Sequence, residues 1–174
     1  MFNYFKQNRA RKERAKALYE AAEAQARRPV FYIDYGVPDS VDGRFEMISL
    51  HCYILMRRLG AAGQQELAQT LFDIMFKTMD RSLREMGVGD LSVPKHMKRM
   101  MQGFNGRAAH YEEAIQKKDD AALCDALARN VYGTIEEPDE DNVKALMQYV
   151  KDSVKMESTE PVFARPEERK EKVA

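Results

Sequence analysis

From residue 92 onward, apolar side chains recur at one helical spacing: Val93, Met97, Met100 or Met101, Phe104, Ala108, Tyr111 and Ile115. A repeat of three to four residues gathers them on one stripe of an α-helix and would scatter them over both faces of a strand. The same period governs most of the chain. Only residues 30–35 have the composition of an extended piece. Pro29 and Pro38 bracket it, so it is read as part of a linker. The fold class that follows is all-α: a single helical-bundle domain with a projecting N-terminal helix and a disordered C-terminal tail.

The boundaries follow from breaks in the period. Residues 1–28 hold a basic, alanine-rich helix with few apolar anchors, expected to project or lie on a surface. The helical domain is expected over 29–157, opening with a linker at 29–40. A helix over 41–59 carries Phe45, Ile48, Cys52, Leu55 and Leu59 on one stripe; Tyr53, Ile54 and Met56 widen its apolar surface, so it is buried on more than one side. The helix over 64–86 ends at Gly87. Ser92 is placed as the N-cap of the next helix, with Pro94 in its first turn and Gly103 and Gly106 inside it. Each such glycine costs about 1 kcal/mol against alanine, which suggests a kink or a close helix crossing. Asp119 or Asp120 caps a fifth helix, and the acids of residues 138–142 open a sixth at its positive end. Residues 158–174 are charged and contain two prolines, and are read as disordered.

The apolar fraction of 44% is enough for a core, and 28 basic residues balance 28 acidic ones, so net charge alone argues neither for nor against nucleic acid; DNA is not an expected partner. Cys52 and Cys124 form neither a CxxC nor a disulfide framework, which fits a reducing compartment. The longest uncharged run, residues 47–56, is far short of the roughly 20 residues of a membrane span. The N-terminus has neither the apolar core of a secretory signal nor the acid-poor composition of a transit peptide. No catalytic motif occurs. Of His51, His96 and His110, none pairs at a metal-binding helical spacing. His51 reads as a core histidine bonded to a neighbouring helix; the competing reading is a haem-binding bundle that uses His51 or His110. No cofactor, metal or catalytic residue is expected.

Flexible apolar side chains beside basic residues point instead to binding another protein. Methionine thioethers adapt to irregular apolar partners, and several fall in two successive helices. The expected client surface is Phe72, Met75, Phe76 and Met79 with Met97, Met100, Met101 and Phe104, lining a groove shared by the two helices. Asp80, Arg81, Arg84 and Glu85 are expected to orient the client or fix the hairpin. Pairs at i,i+4 are expected for Asp73–Lys77, Asp80–Arg84 and Arg81–Glu85. Two basic sets are candidates for an anionic partner: Lys6, Arg9, Arg11 and Lys12, beside Phe2, Tyr4 and Phe5, and Lys95, Lys98 and Arg99. A membrane surface or ribosomal RNA would suit them, and a ribosome- or RNA-binding module is the rival function.

Ordered segments over residues 30–133 carry a resemblance. They include Val37-Pro38-Asp39-Ser40, Gly43-Arg44-Phe45, Leu50-His51, Arg57-Arg58-Leu59, Phe72-Asp73 with Phe76, all of residues 79–90, residues 93–98, Phe104 with Gly106-Arg107, and Tyr111-Glu112. In this order they resemble the ubiquinol–cytochrome c chaperone family, bacterial relatives of the mitochondrial chaperone for cytochrome b. Residue 40 is serine where the family pattern has threonine, and residues 1–28 and the tail lie outside the match. The resemblance implies a non-enzymatic helical chaperone that binds newly made cytochrome b and assists assembly of ubiquinol–cytochrome c reductase, respiratory complex III. Mitochondrial relatives work with a small partner protein and near the ribosomal tunnel exit. The implied location is the bacterial cytoplasm, peripheral at the cytoplasmic face of the inner membrane.

Overall fold

A computed structural model describes residues 2–168, with side chains from residue 4. Among these residues there are seven helices and no strand: α1 (Phe2–Ala26), α2 (Pro29–Ile33), α3 (Val41–Ala61), α4 (Gln65–Glu85), α5 (Val93–Lys117), α6 (Asp120–Val131) and α7 (Glu140–Lys155). Helix α3 is the centre. It packs on α1 and α4 on one side and on α6 and α7 on the other, and α5 bridges α4 to α6. Its central position explains why apolar residues occupy most of its circumference: Met47, Leu50, Cys52, Ile54, Leu55 and Leu59 are all at most 1% exposed.

Short polar caps set the helix starts. The Ser40 side chain accepts from the Gly43 amide, Asp119 from Ala122, and Asp139 from Asp141 and Asn142. Each removes an orphan donor of the first turn. Ser92 sits at the expected boundary but is itself helical in backbone and makes no cap bond. Helix α5 runs unbroken through Gly103 and Gly106. A Cβ at Gly106 would meet nothing, and one at Gly103 only the Arg107 side chain, so neither glycine marks a helix crossing.

Three expectations are corrected. First, α1 does not project. Only its opening turns stand clear, with Tyr4 and Phe5 about two-thirds exposed, while Ala15, Leu18, Tyr19, Ala22 and Ala26 are buried against α3 and α4. The small alanines form a stripe that brings three backbones close, so Leu18 and Tyr19 reach the core. Burying one such side chain is worth about 2 kcal/mol, enough to dock an otherwise polar helix. Second, the linker contains α2, whose Val30 and Phe31 are buried along with Tyr35 and Val37.

Third, residues 158–168 of the expected disordered tail are an extended strap laid on the body; residues 169–174 lie outside the described residues. Arg58, 4% exposed, donates from its guanidinium to the carbonyls of Ser158, Glu160 and Val162. The Ala164 amide donates to Ser153 Oγ, the Glu167 amide to the Tyr35 hydroxyl, and the Phe163 ring packs edge-on against His51. A charged segment without helical or strand pairing is thus ordered by one buried cation and one aromatic anchor.

Helix directions define two ends. Arg11 pairs with Glu66, and Tyr19 bonds Thr78, so α1 runs parallel to α4. Phe104 meets Phe72 and Phe76, and α5 follows α4 through a short turn, so α5 runs back antiparallel. The start of α1 therefore lies by the α3–α4 turn. The starts of α3 and α5 lie with the end of α4 at the opposite end of the bundle.

Candidate functional site

The main concavity is an apolar cleft of about 680 Å³ at that opposite end. The first turns of α3 supply Val41, Phe45 and Ile48; the last turns of α4 supply Met79, Leu83 and Met86; α5 supplies Met100. Tyr19 and Glu23 of α1, with Arg27 just after it, form one wall, and Val131, Gly133 and Thr134 close the other side. Val41 and Met86 stand on the rim at 69% and 59% exposure.

The narrow start of α3 depends on Gly43. A Cβ there would lie 2.0 Å from the Pro38 carbonyl oxygen, so only glycine lets the incoming chain cross the first turn. At the cleft floor Glu46, 8% exposed, meets Arg107 at 2.6 Å. Burial pushes the Glu46 carboxyl up to about 7; the Arg107 guanidinium partly offsets this, and the Asp42 charge adds to it. On the rim Arg44 pairs with Asp39 and Arg27 with Glu23. The site is a wet-mouthed apolar trough whose charges are largely matched in place. It offers adaptable thioether and aliphatic surface and no reactive group, which suits holding an apolar polypeptide segment.

The expected client residues divide. Met75, Phe76 and Phe104 are buried core, and Phe72, Phe76 and Phe104 close the α4–α5 seam with ring centroids 4.6–5.9 Å apart. The groove expected between these helices is therefore filled. Met79 and Met100 line the open cleft one interface away, on the α3 side. Met97 is half-buried against the core, and Met101, 38% exposed, lies on the other flank of α5 from the cleft residue Arg107. Arg84 bridges Asp80 at 2.8 Å and Asp90 at 2.6 Å and so braces the α4–α5 turn. Arg81 approaches Glu85 at 3.9 Å, whereas Asp73 accepts from Gln69 rather than pairing with Lys77.

The basic sets do not come together. Lys6, Arg9 and Lys12 are exposed near the start of α1, with Arg9 paired to Glu13 and Arg11 to Glu66. Lys95, Lys98 and Arg99 are exposed beside the cleft. The residues between Arg9 and the cleft wall at Glu23 span roughly 20 Å of helix axis, so the two sets form separate patches. Val41, Phe45 and Ile48 of α3 were missed as cleft residues. Their stripe was legible, but that it opens to solvent at its N-terminal end was not.

His51 is fully buried and uses both ring nitrogens: Nδ1 donates to the Met47 carbonyl at 2.7 Å, and Nε2 accepts from the Tyr149 hydroxyl at 2.8 Å. Burial pulls its pKa down to about 4, so the ring is neutral and has no nitrogen left for haem. Cys52 is likewise buried, and burial pushes its thiol up. Among the described residues no three His, Cys, Asp or Glu side chains are grouped to hold a metal.

A model of the ubiquinol–cytochrome c chaperone family matches residues 34–159. The crystal structure of the Cbp3 homolog from Brucella abortus superposes with a TM-score of 0.76 at 35% identity, covering 88% of this chain and 85% of that one. No curated protein matches the sequence.

Proposed function

The chain belongs to the ubiquinol–cytochrome c chaperone family and serves assembly of ubiquinol–cytochrome c reductase, and we propose that its client is newly made cytochrome b, held by an apolar segment in the cleft between α1, α3, α4 and α5. The observation that carries this reading is the cleft itself: a methionine-lined trough, open to solvent, with exposed Val41 and Met86 on its rim. No helix among the described residues is long and apolar enough to cross a membrane. The chaperone would therefore meet its client from the surface, peripheral to the cytoplasmic face of a bacterial inner membrane.

The test is capture of cytochrome b segments by Val41→Asp and Met86→Asp variants. Both side chains are mostly exposed, so the fold should survive. Each introduced carboxylate must lose water when an apolar segment docks, at a cost of about 1–3 kcal/mol. Binding should fall about fivefold or more with an unchanged melting temperature. Undiminished capture would place the client elsewhere.

A further inference from the structure

The α4–α5 turn and the first half of α5 make up the longest acid-free run among the described residues. Residues 91–110 contain no aspartate or glutamate, yet hold Lys95, Lys98 and Arg99 besides Arg107, which pairs with Glu46. Several other surface cations face carboxylates, as in Arg9–Glu13, Lys16–Glu20, Lys117–Glu113 and Lys144–Glu140. The carboxylates nearest this stretch, Asp80, Glu85 and Asp90, are held by Arg81 and Arg84, so they are one charge short of balance and leave the exposed cations Lys95, Lys98 and Arg99 in excess. The result is a local positive field on a chain of zero net charge.

Apolar side chains stand out of this field. Leu91 is 98% exposed and Met101 38%. The turn that presents Leu91 is held by the Arg84–Asp90 pair and by amides of Ser92 and Val93 bonded to the Gly89 carbonyl. Burying Leu91 between cations suits a surface that is anionic outside and hydrocarbon just beneath. Aliphatic side chains have nothing to stack on in a nucleic acid, which would favour aromatics and arginine.

We infer that this end of the bundle docks on an anionic lipid surface, with Leu91 dipping into the interface and Lys95 and Lys98 on the headgroups. This rests on the reading that the chaperone works at a membrane and names the face that meets it. The same end carries the cleft, so docking would turn the cleft mouth toward a client in the bilayer. The aromatic and basic start of α1 would then point away.

The protein has no tryptophan, so L91W and Y4W each carry a single reporter at an exposed position. The probe is vesicles of phosphatidylglycerol and phosphatidylcholine, against phosphatidylcholine alone. The proposal expects a blue shift for L91W with the anionic vesicles only and none for Y4W. It expects the K95E/K98E double variant to partition at least about tenfold less, and K6E/K12E to partition as the parent does. A shift at position 4 with none at 91, equal binding of the double variant, or no vesicle binding would overturn it. So would salt-sensitive binding to RNA in place of vesicles. Capture of a cytochrome b segment in detergent is measured in parallel: its retention by K95E/K98E separates loss of membrane docking from loss of the client site.

Discussion

At the scale of single residues, two buried groups titrate in opposite senses. His51 has a folded pKa of about 4 against 6.5 unfolded. Below pH 6.5 the unfolded chain takes up a proton that the folded one refuses, so stability falls as pH drops toward 4 and then levels. Glu46, raised from 4.5 to about 7, favours the folded state at low pH, and that stabilisation is lost as pH rises from 4.5 through 7. Comparing the parent with His51→Gln cancels the Glu46 contribution. Between pH 7 and 5 the parent should lose about 2 kcal/mol more than the variant in urea unfolding; parallel pH dependences would mean that His51 is not held neutral. Gly43→Ala sets two magnitudes against each other. Alanine gains about 1 kcal/mol in helix propensity, but its Cβ would sit 2.0 Å from a backbone oxygen. The clash should win, destabilising by about 2 kcal/mol or more and shifting the α3 start. A stabilised variant would contradict the close crossing of Pro38.

At the scale of elements, the helices were legible and their environments only partly so. The period located α3, α4 and α5 to within two residues because leucine, methionine and phenylalanine mark a buried stripe plainly. Helix α1 reads as projecting in the sequence because alanine gives no such signal. Its role is to permit close approach, which shows only once α3 and α4 are in place. The strap at 158–168 was hidden for a related reason. Its order comes from Arg58, a hundred residues away, and from Phe163, a lone aromatic among charges. Arg58→Ala should release it. Hydrogen bonds to a charged group contribute about 1.5–3 kcal/mol, so cleavage of the folded protein after exposed Glu157 by a glutamate-specific protease should accelerate at least tenfold, with partial protection in Arg58→Lys. Cleavage at the parent rate would show that the strap is held by other contacts.

At the scale of the whole molecule, the two ends differ in kind. The end with the start of α1 presents exposed Tyr4 and Phe5, Lys6 and Lys12 beside the Arg9–Glu13 and Arg11–Glu66 pairs, and the α3–α4 turn. The other gathers the cleft, the braced α4–α5 turn and the acid-free half of α5. The sequence displayed the α4–α5 turn, the basic residues of α5 and the methionine-rich pair of helices. It did not show that Phe72, Phe76 and Phe104 seal their seam, so that the opening falls between α4 and the start of α3. Which side of a helix faces solvent is decided by three-dimensional neighbours rather than by period. The most direct test of the client-binding cleft is photo-crosslinking in native membranes, with a photoreactive residue at Met86 on the rim or at exposed Gln148 on α7. Cytochrome b should be the main adduct at position 86 and absent at 148. Equal labelling at both positions, or adducts of soluble proteins alone at position 86, would contradict the assignment of the cleft.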